Sequence, residues 1–202
     1  NDGSVDNSLN LIKKFKHENI RELNVKIINY KKNRGKGYAL KQGVLIANKK
    51  WILTIDVDLS VSFKQIDFWV KSGFIKNGGN IFFGSRLLTK SNIKAKKYRV
   101  FIGDVFNILL RFIINDKFLN IKDTQCGFKL YKKDLAKIIF KNIKENGYIH
   151  DVEILILIRK KKFTVYELPV NWTHKDGSKI NIIQDSVKML INLFHLKLRY
   201  KL

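Results

Sequence analysis

The sequence predicts an α/β fold with a mainly parallel sheet covered by helices on both faces, and three observations carry that expectation. Segments with helical apolar spacing alternate with short apolar runs of strand length through the first half of the chain. One of these runs, Trp51 to Ile55, ends abruptly in Asp56-Val57-Asp58, at the edge where such sheets gather ligands beyond the carboxyl ends of their strands. With 202 residues, 45% of them hydrophobic and 12% aromatic, the chain can bury one good core, so residues 1–202 are expected to form a single domain.

Taken in order, Asn1-Asp2-Gly3-Ser4 is a turn signal with no strand before it, so a first strand is expected to lie outside this chain. Leu9 to Asn19 sets Leu9, Ile12 and Phe15 at helical spacing, and Val25 to Ile28 follows as a β-like run. Gly35 to Asn48 resumes helical spacing through Leu40, Val44 and Ala47 and leads into the Trp51 strand. Ser62 to Lys76 reads as a helix and Asn80 to Gly84 as a strand, which brings Gly84-Ser85-Arg86 to the same end of the sheet as Asp56 and Asp58. From Tyr98 to Asn115, the residues Arg99, Gly103, Asn107, Arg111 and Asn115 recur every fourth place, while nearly everything else is apolar. That is a helix with a narrow polar stripe, either buried with one wet edge or lying in a membrane interface. Phe163 to Leu168 is strand-like and ends at the only proline, Pro169. Asp185 to Leu202 forms an amphipathic basic C-terminal helix, with Val187, Leu190, Ile191 and Phe194 on one face and Lys188, Lys197 and Arg199 nearby, suited to an anionic lipid surface.

The formal charge of +23, from 40 basic and 17 acidic residues, would draw the chain to nucleic acid, anionic lipid or phosphorylated ligands. Lysines scattered over a solvated surface give the same total, so charge alone does not choose among these. Arginine is scarcer: only Arg21, Arg34, Arg86, Arg99, Arg111, Arg159 and Arg199 occur, and such positions are candidates for bidentate phosphate contacts. A single cysteine, Cys126, excludes an intramolecular disulfide and a thiolate cluster for zinc or iron-sulfur. No run of about 18 uncharged apolar residues offers a membrane-spanning helix, and no signal peptide opens the chain.

Two carboxylates one residue apart at the end of a buried strand both leave the core only if the chain departs from regular β geometry there. Their mutual repulsion is relieved by a hard divalent cation, Mg²⁺ or Mn²⁺, which would also grip a diphosphate. An ordinary acidic turn is the other reading. Upstream, Asn33-Arg34-Gly35-Lys36-Gly37 opens a helix, where glycines let backbone N–H groups approach an anion beside two basic side chains. A plain glycine-rich helix start is the alternative there.

In order along the chain, Asn1-Asp2-Gly3-Ser4, the Asn33 to Gly37 loop, Asp56-Val57-Asp58, Gly84-Ser85-Arg86, Asp123-Thr124-Gln125-Cys126-Gly127-Phe128-Lys129 and Asp151-Val152-Glu153 resemble glycosyltransferase family 2. Within it they look like the dolichyl-phosphate glucosyltransferase and mannosyltransferase branch. The resemblance spans essentially the whole chain. Asp123 to Leu130, Val170-Asn171-Trp172-Thr173 and Gly177-Ser178-Lys179 are more like the glucosyl members.

This resemblance implies a GT-A fold and inverting transfer from a nucleotide diphosphate sugar, UDP-glucose before GDP-mannose, to polyprenyl or dolichyl phosphate with Mg²⁺ or Mn²⁺. It implies a membrane-associated enzyme on the cytoplasmic face, of the endoplasmic reticulum in a eukaryote or of the plasma membrane in a bacterium, with no nucleic-acid partner. Carried over by position, Asp2 would contact the base or ribose, Lys36 and Asp56 would lie on the nucleotide side, and Asp58 would hold the metal with Asp56 beside it. Arg86 and Arg99 would face phosphates or the acceptor, and Ser178 and Lys179 would sit in a loop closing over the substrates. Gln125 would join the donor side and Asp151 the catalytic groups. Two departures stand out. The family's first strand, with its Pro-x-Tyr-Asn-Glu segment, does not occur here, and Ser60 stands where mannosyl members often carry a glutamine that completes the metal shell. His150 and His174 also depart from the family pattern and read as structural residues.

A phosphate acceptor explains why no dedicated base is needed: a monophosphate with a second pKa of about 6 is largely dianionic at neutral pH and attacks directly. Metal and basic groups such as Arg86 and Lys179 then stabilise the departing diphosphate. A sugar-hydroxyl acceptor would instead require a carboxylate base, for which Asp123 and Asp151 are the candidates. A basic nucleic-acid-binding module would account for the charge but not for Asp56-Val57-Asp58. A degenerate, non-catalytic scaffold would transfer from no nucleotide sugar at all.

Overall fold

A computed structural model of the chain describes residues 1–19, 23–75, 78–94, 108–110, 113, 121–175 and 182–202. Its elements run α1 (Ser8–Glu18), α2 (Lys36–Ile46), β1 (Trp51–Thr54), α3 (Lys64–Lys71), β2 (Ile81–Ser85), β3 (Asn92–Lys94), β4 (Lys129–Lys132), α4 (Lys133–Asn142), α5 (His150–Lys160), β5 (Tyr166–Pro169), β6 (Asn171–Thr173) and α6 (Ile182–Tyr200). The expected 98–115 helix falls almost entirely outside the described residues.

The α/β class holds, with one correction to the sheet. Its order is β1-β4-β2-β5, and β4 runs antiparallel to both β1 and β2 while β2 and β5 are parallel. The described sheet is therefore mixed instead of mainly parallel. The reason lies in β4, whose Lys129-Leu130-Tyr131-Lys132 carries two lysines and does not read as an apolar strand, yet inserts between the two strands that do. A two-stranded sheet of β3 and β6 stands beside it.

Alternation along the strands splits the core between two faces. Ile52, Ile81, Phe83 and Tyr131 point into a cluster with Val44 of α2, Ile139 and Phe140 of α4, the apolar residues of α5, and Leu193 and Leu196 of α6. Phe82, Leu130 and Leu168 point the other way, against Trp69 of α3 and Phe128. Each fully buried aromatic or aliphatic side chain contributes roughly 1.5–3 kcal/mol. Helix α3 is fixed to the sheet through Pro169, whose carbonyl accepts from Trp69 Nε1 at 2.8 Å and Gln65 Nε2 at 3.1 Å.

The β-like run Val25 to Ile28 forms no ladder among the described residues. It is held by the N-terminus: the Asn1 ammonium donates to the Ile28 carbonyl at 2.7 Å, the Tyr30 N–H donates to the Asn1 carbonyl at 3.1 Å, and Asp2 and Tyr30 form one parallel bridge.

Candidate active site

Strand β1 stops at Thr54, and the chain leaves β geometry in a tight turn closed by the Leu59 N–H donating to the Asp56 carbonyl at 3.1 Å. Leu59 takes a φ of 52°, a left-handed conformation that costs a branched residue some strain. Both carboxylates are thereby released from the core. Asp56 is half-buried and accepts from Lys36 Nζ at 2.6 Å. Asp58 is exposed, and its hydrogen bond among the described residues is from the Ser60 N–H to Oδ1 at 2.9 Å. Burial alone would lower the Lys36 ammonium, but the charges of Asp151 and Asp56 outweigh it and hold the pKa above its ordinary value. A carboxylate pair with a permanent cation beside it is equipped to face a diphosphate.

The described residues contain no cluster of three or more His, Cys, Asp or Glu that could enclose a metal ion. A hard cation such as Mg²⁺ or Mn²⁺ can be held by one or two carboxylates that share it with phosphate oxygens and water. Asp56 and Asp58 are the pair that could hold it.

The glycine loop differs from its sequence expectation. Three of its amides meet protein. The N–H groups of Arg34 and Gly35 donate to the two carboxylate oxygens of Asp2 at 2.7 and 2.8 Å, and those of Gly37 and Tyr38 donate to the Asn146 carbonyl at 2.7 and 3.3 Å. The anion held by the loop is thus Asp2 itself. Glycine is required at 35 because φ is +99° and a β-carbon would meet the Asn146 oxygen at 2.3 Å, a close approach that no periodicity announces. What the loop offers a ligand is the side chain of Lys36. Arg34 lies over the Tyr38 ring at 3.9 Å and donates to its hydroxyl.

Arg86 follows β2, and its fork is already engaged: Nε and Nη2 donate to the two oxygens of Asp123 at 2.7 and 2.9 Å, and its own N–H donates to Oδ2. Burial opposes the charge on both partners, yet each stabilises the other, holding the arginine pKa up and the Asp123 carboxyl below its usual range. The Asp123 segment is pinned in turn by Glu167, which accepts from the N–H groups of Lys122 and Asp123. Arg86 lines a small open cleft with Asp56, Gln125, Cys126, Gly127 and Trp172. Burial pushes the Cys126 thiol up to about 12, so it stays protonated and is no nucleophile.

Asp151, on the first turn of α5, is buried and paired with Lys129 of β4, itself buried, whose ammonium also donates to the Thr124 carbonyl. Burial works to raise the Asp151 carboxyl, and His150, Lys129 and Lys36 override it and hold it down to about 2. His150 donates through Nδ1 to the Gly147 carbonyl at 2.7 Å, and burial keeps its pKa below the ordinary value.

Residues 1–140 match the family described as Glycosyl transferase family 2. The chain belongs to glycosyltransferase family 2. This family 2 chain is 34% identical over 205 residues to a dolichyl-phosphate beta-glucosyltransferase of Dictyostelium discoideum, covering 100% of this chain and 62% of the relative. It is 34% identical over 216 residues to the Saccharomyces cerevisiae enzyme of that name, covering 100% of this chain and 64% of that one. The human counterpart is 32% identical over 182 residues, covering 87% and 55%. The family 2 chain thus spans under two thirds of the length of these curated relatives. Its fold matches glucosyl-3-phosphoglycerate synthase of Mycobacterium tuberculosis in complex with Mn²⁺ and uridine-diphosphate-glucose, with a TM-score of 0.62 at 12% identity over 96% of this chain and 66% of that one. Mannosyl-3-phosphoglycerate synthase of Rubrobacter xylanophilus matches with a TM-score of 0.59 at 15% identity, over 83% and 52%. These likenesses establish the GT-A fold.

Of the residues singled out in the sequence, Lys36, Asp56, Asp58, Arg86, Gln125 and Asp151 converge around this turn and cleft, and Asp2 reaches it through the glycine loop. Arg99, Ser178 and Lys179 lie outside the described residues. Glu167 and Asn146 are absent from the sequence motifs, and Lys129 and Glu153 stand in them without an assigned role. A signal existed for one of them: a lysine inside the Cys126-to-Tyr131 apolar stretch must find a buried partner.

Proposed function

We propose that this chain catalyses inverting transfer of glucose from UDP-glucose to the phosphate of a dolichyl or other polyprenyl phosphate, supported by a divalent cation at Asp56 and Asp58. The observation that carries this reading is the state of the two carboxylates that could have been bases. Asp123 is neutralised by Arg86, and Asp151 is held down to about 2 beside Lys129. Neither is poised to deprotonate a hydroxyl. An acceptor that arrives ionised, such as a phosphomonoester, needs no base.

Each group then has a task. Bound at the carboxylate turn, a divalent cation supplies Lewis-acid stabilisation of the diphosphate; Mn²⁺ is the ion present with UDP-glucose in the solved fold relative. Lys36 adds a fixed positive charge on the leaving-group side, in a place that does not reorganise during reaction. Asp2 acts on the nucleotide pocket by fixing the Arg34-Gly35 loop. Gln125 and the spare edge of Arg86 line the cleft where the sugar would sit. Arg99, Ser178 and Lys179 are assigned to the acceptor phosphate by resemblance to the family. The relatives' names carry dolichyl phosphate, which supports a lipid acceptor; the cytoplasmic face of the endoplasmic reticulum is the proposed location, with no role for nucleic acid.

The test is to incubate the protein with labelled UDP-glucose, UDP-N-acetylglucosamine or GDP-mannose, a polyprenyl phosphate and Mn²⁺ or Mg²⁺, and to extract lipid. Labelled lipid from UDP-glucose is expected. No labelled lipid from any donor defeats the proposal, and transfer to a free sugar hydroxyl in its place restores the base-catalysed alternative.

A further inference from the structure

The sequence holds two Asn-Gly pairs, Asn77-Gly78 and Asn146-Gly147. The second lies between α4 and α5 and is joined to the start of α2. The carbonyl of Asn146 accepts from the N–H groups of Gly37 and Tyr38 at 2.7 and 3.3 Å, and it packs so closely that a β-carbon on Gly35 would meet its oxygen at 2.3 Å. Two donors on one carbonyl draw electron density out of that amide, and the positive end of α2 adds to the pull. The N–H of Gly147, which belongs to the same peptide, is made more acidic. Room surrounds this polarised peptide: the Asn146 side chain is exposed, and a β-carbon on Gly147 would meet nothing within 4 Å. Gly147 is held instead through its own carbonyl, which accepts from His150 Nδ1 at 2.7 Å and from the His150 N–H at 3.3 Å.

We propose that Asn146 is a site of spontaneous deamidation and isoaspartate formation, with water as the co-reactant, and that this modification disables the nucleotide loop. The Gly147 nitrogen gives its proton to solvent hydroxide and attacks Asn146 Cγ. The side-chain nitrogen takes a proton from water and leaves as ammonia, which closes a cyclic imide. Water then opens the imide. Breaking the bond from nitrogen to Cγ gives aspartate, with the main chain unchanged. Breaking the bond from nitrogen to the original carbonyl carbon gives isoaspartate, whose main chain runs through Cβ and Cγ and whose former peptide carbonyl is a free carboxylate. The isoaspartyl chain is one methylene longer, so the oxygen that holds Gly37 and Tyr38 leaves its place, and Lys36 beside them loses its fixed position against Asp56. Only this last consequence rests on the proposed transfer from UDP-glucose; the modification itself is read on the peptide.

The folded chain, and the same chain in urea, are held in warm, mildly alkaline buffer. Peptides containing Asn77 and Asn146 are followed by mass spectrometry, and isoaspartate is read by methylation with a protein isoaspartyl methyltransferase. In urea the two pairs should convert alike, because each asparagine is followed by glycine. In the folded chain Asn146 should convert no more slowly than in urea, since its peptide is polarised by the fold. Gly147→Ala adds a methyl group that meets no neighbour, and by restricting the backbone at ring closure it should slow conversion about tenfold. UDP-glucose transfer should fade in step with isoaspartate at 146, through KM first, because a displacement on the order of 1 Å costs up to about 10²-fold. The Gly147→Ala variant should keep its activity longer than the parent under the same treatment. Asn146 that stays an amide in the folded chain while it converts in urea, or conversion confined to Asn77, overturns the proposed site. Isoaspartate at 146 with transfer undiminished overturns its effect on the nucleotide loop. A freshly prepared chain that transfers no glucose counts against the proposed reaction and leaves the peptide map to decide the modification.

Discussion

Gly127 lies against the carboxylate of Asp56 so closely that a β-carbon on it would fall 2.4 Å from Oδ2. The glycine therefore sets how far Asp56 can retreat towards the sheet. Gly127→Ala should push the carboxylate off its contact with Lys36 while leaving the buried strands intact. Expected is at least a tenfold loss of UDP-glucose transfer, with thermal stability changed by no more than about 1 kcal/mol. A variant with full activity would show that Asp56 need not sit where it does.

Asp58 is exposed and bonded only to its neighbour's amide among the described residues, so its charge has little to do with stability. Asp58→Asn keeps the shape and removes the charge. Transfer should fall about 10²- to 10³-fold, the range seen when one group stabilising developing charge is lost. The Mn²⁺ concentration for half-maximal activity should rise, and melting should move within about 0.5 kcal/mol of the parent. An unchanged Mn²⁺ titration would move the ion elsewhere.

Much of this site could be read from the chain because it depends on local order. A strand that ends in two carboxylates, and a glycine-rich helix start one helix and one strand earlier, are sequence-adjacent facts, and Lys36 and Asp56 do meet. Long-range pairing could not be read in the same way. Arg86 looks available for phosphate in the sequence because nothing near it is acidic, and its partner Asp123 arrives 37 residues later. The glycine loop looks like an anion cradle because its amides are unpaired in sequence, whereas Asp2 and Asn146 reach them from distant points on either side in the chain. The mainly parallel sheet fails for the same reason: β4 is amphipathic in sequence and central in space.

Buried Lys129 and Asp151 make stability depend on pH in a definite direction. The Asp151 carboxyl is lowered from an ordinary 3.8 to about 2, so its contribution is complete above 3.8 and is lost as pH falls through about 2. That loss amounts to roughly 2 kcal/mol. His150 is likewise held below its ordinary 6.5, so stability begins to decline as pH drops under that value and the unfolded chain takes up a proton first. Urea titrations between pH 7 and pH 2 should show both declines, and Asp151→Asn should erase the acid one. Lys129→Met, which strands a buried carboxylate, should cost about 3–5 kcal/mol. A flat profile in the unmodified protein would mean that the pair is solvated.

Glu153 ties the C-terminal helix to the nucleotide loop. Its carboxylate is fully buried and accepts from the N–H groups of Lys144 and Glu145 at 2.9 and 2.8 Å and from the Tyr200 hydroxyl of α6 at 2.7 Å. The next residue, Asn146, offers its carbonyl to Gly37 and Tyr38 at the start of α2, where Lys36 stands. Removing the carboxylate strands two amides and a hydroxyl, so Glu153→Ala should cost about 3 kcal/mol. Loosening Asn146 would then release Lys36 from its fixed place, and the KM for UDP-glucose should rise about tenfold while kcat falls less, since binding geometry is lost before chemistry. Glu153→Gln can still accept from the amides and donate to Tyr200, and it should recover most of the KM. If stability falls in Glu153→Ala but KM does not move, the carboxylate holds the fold alone and the nucleotide loop is set by Asp2.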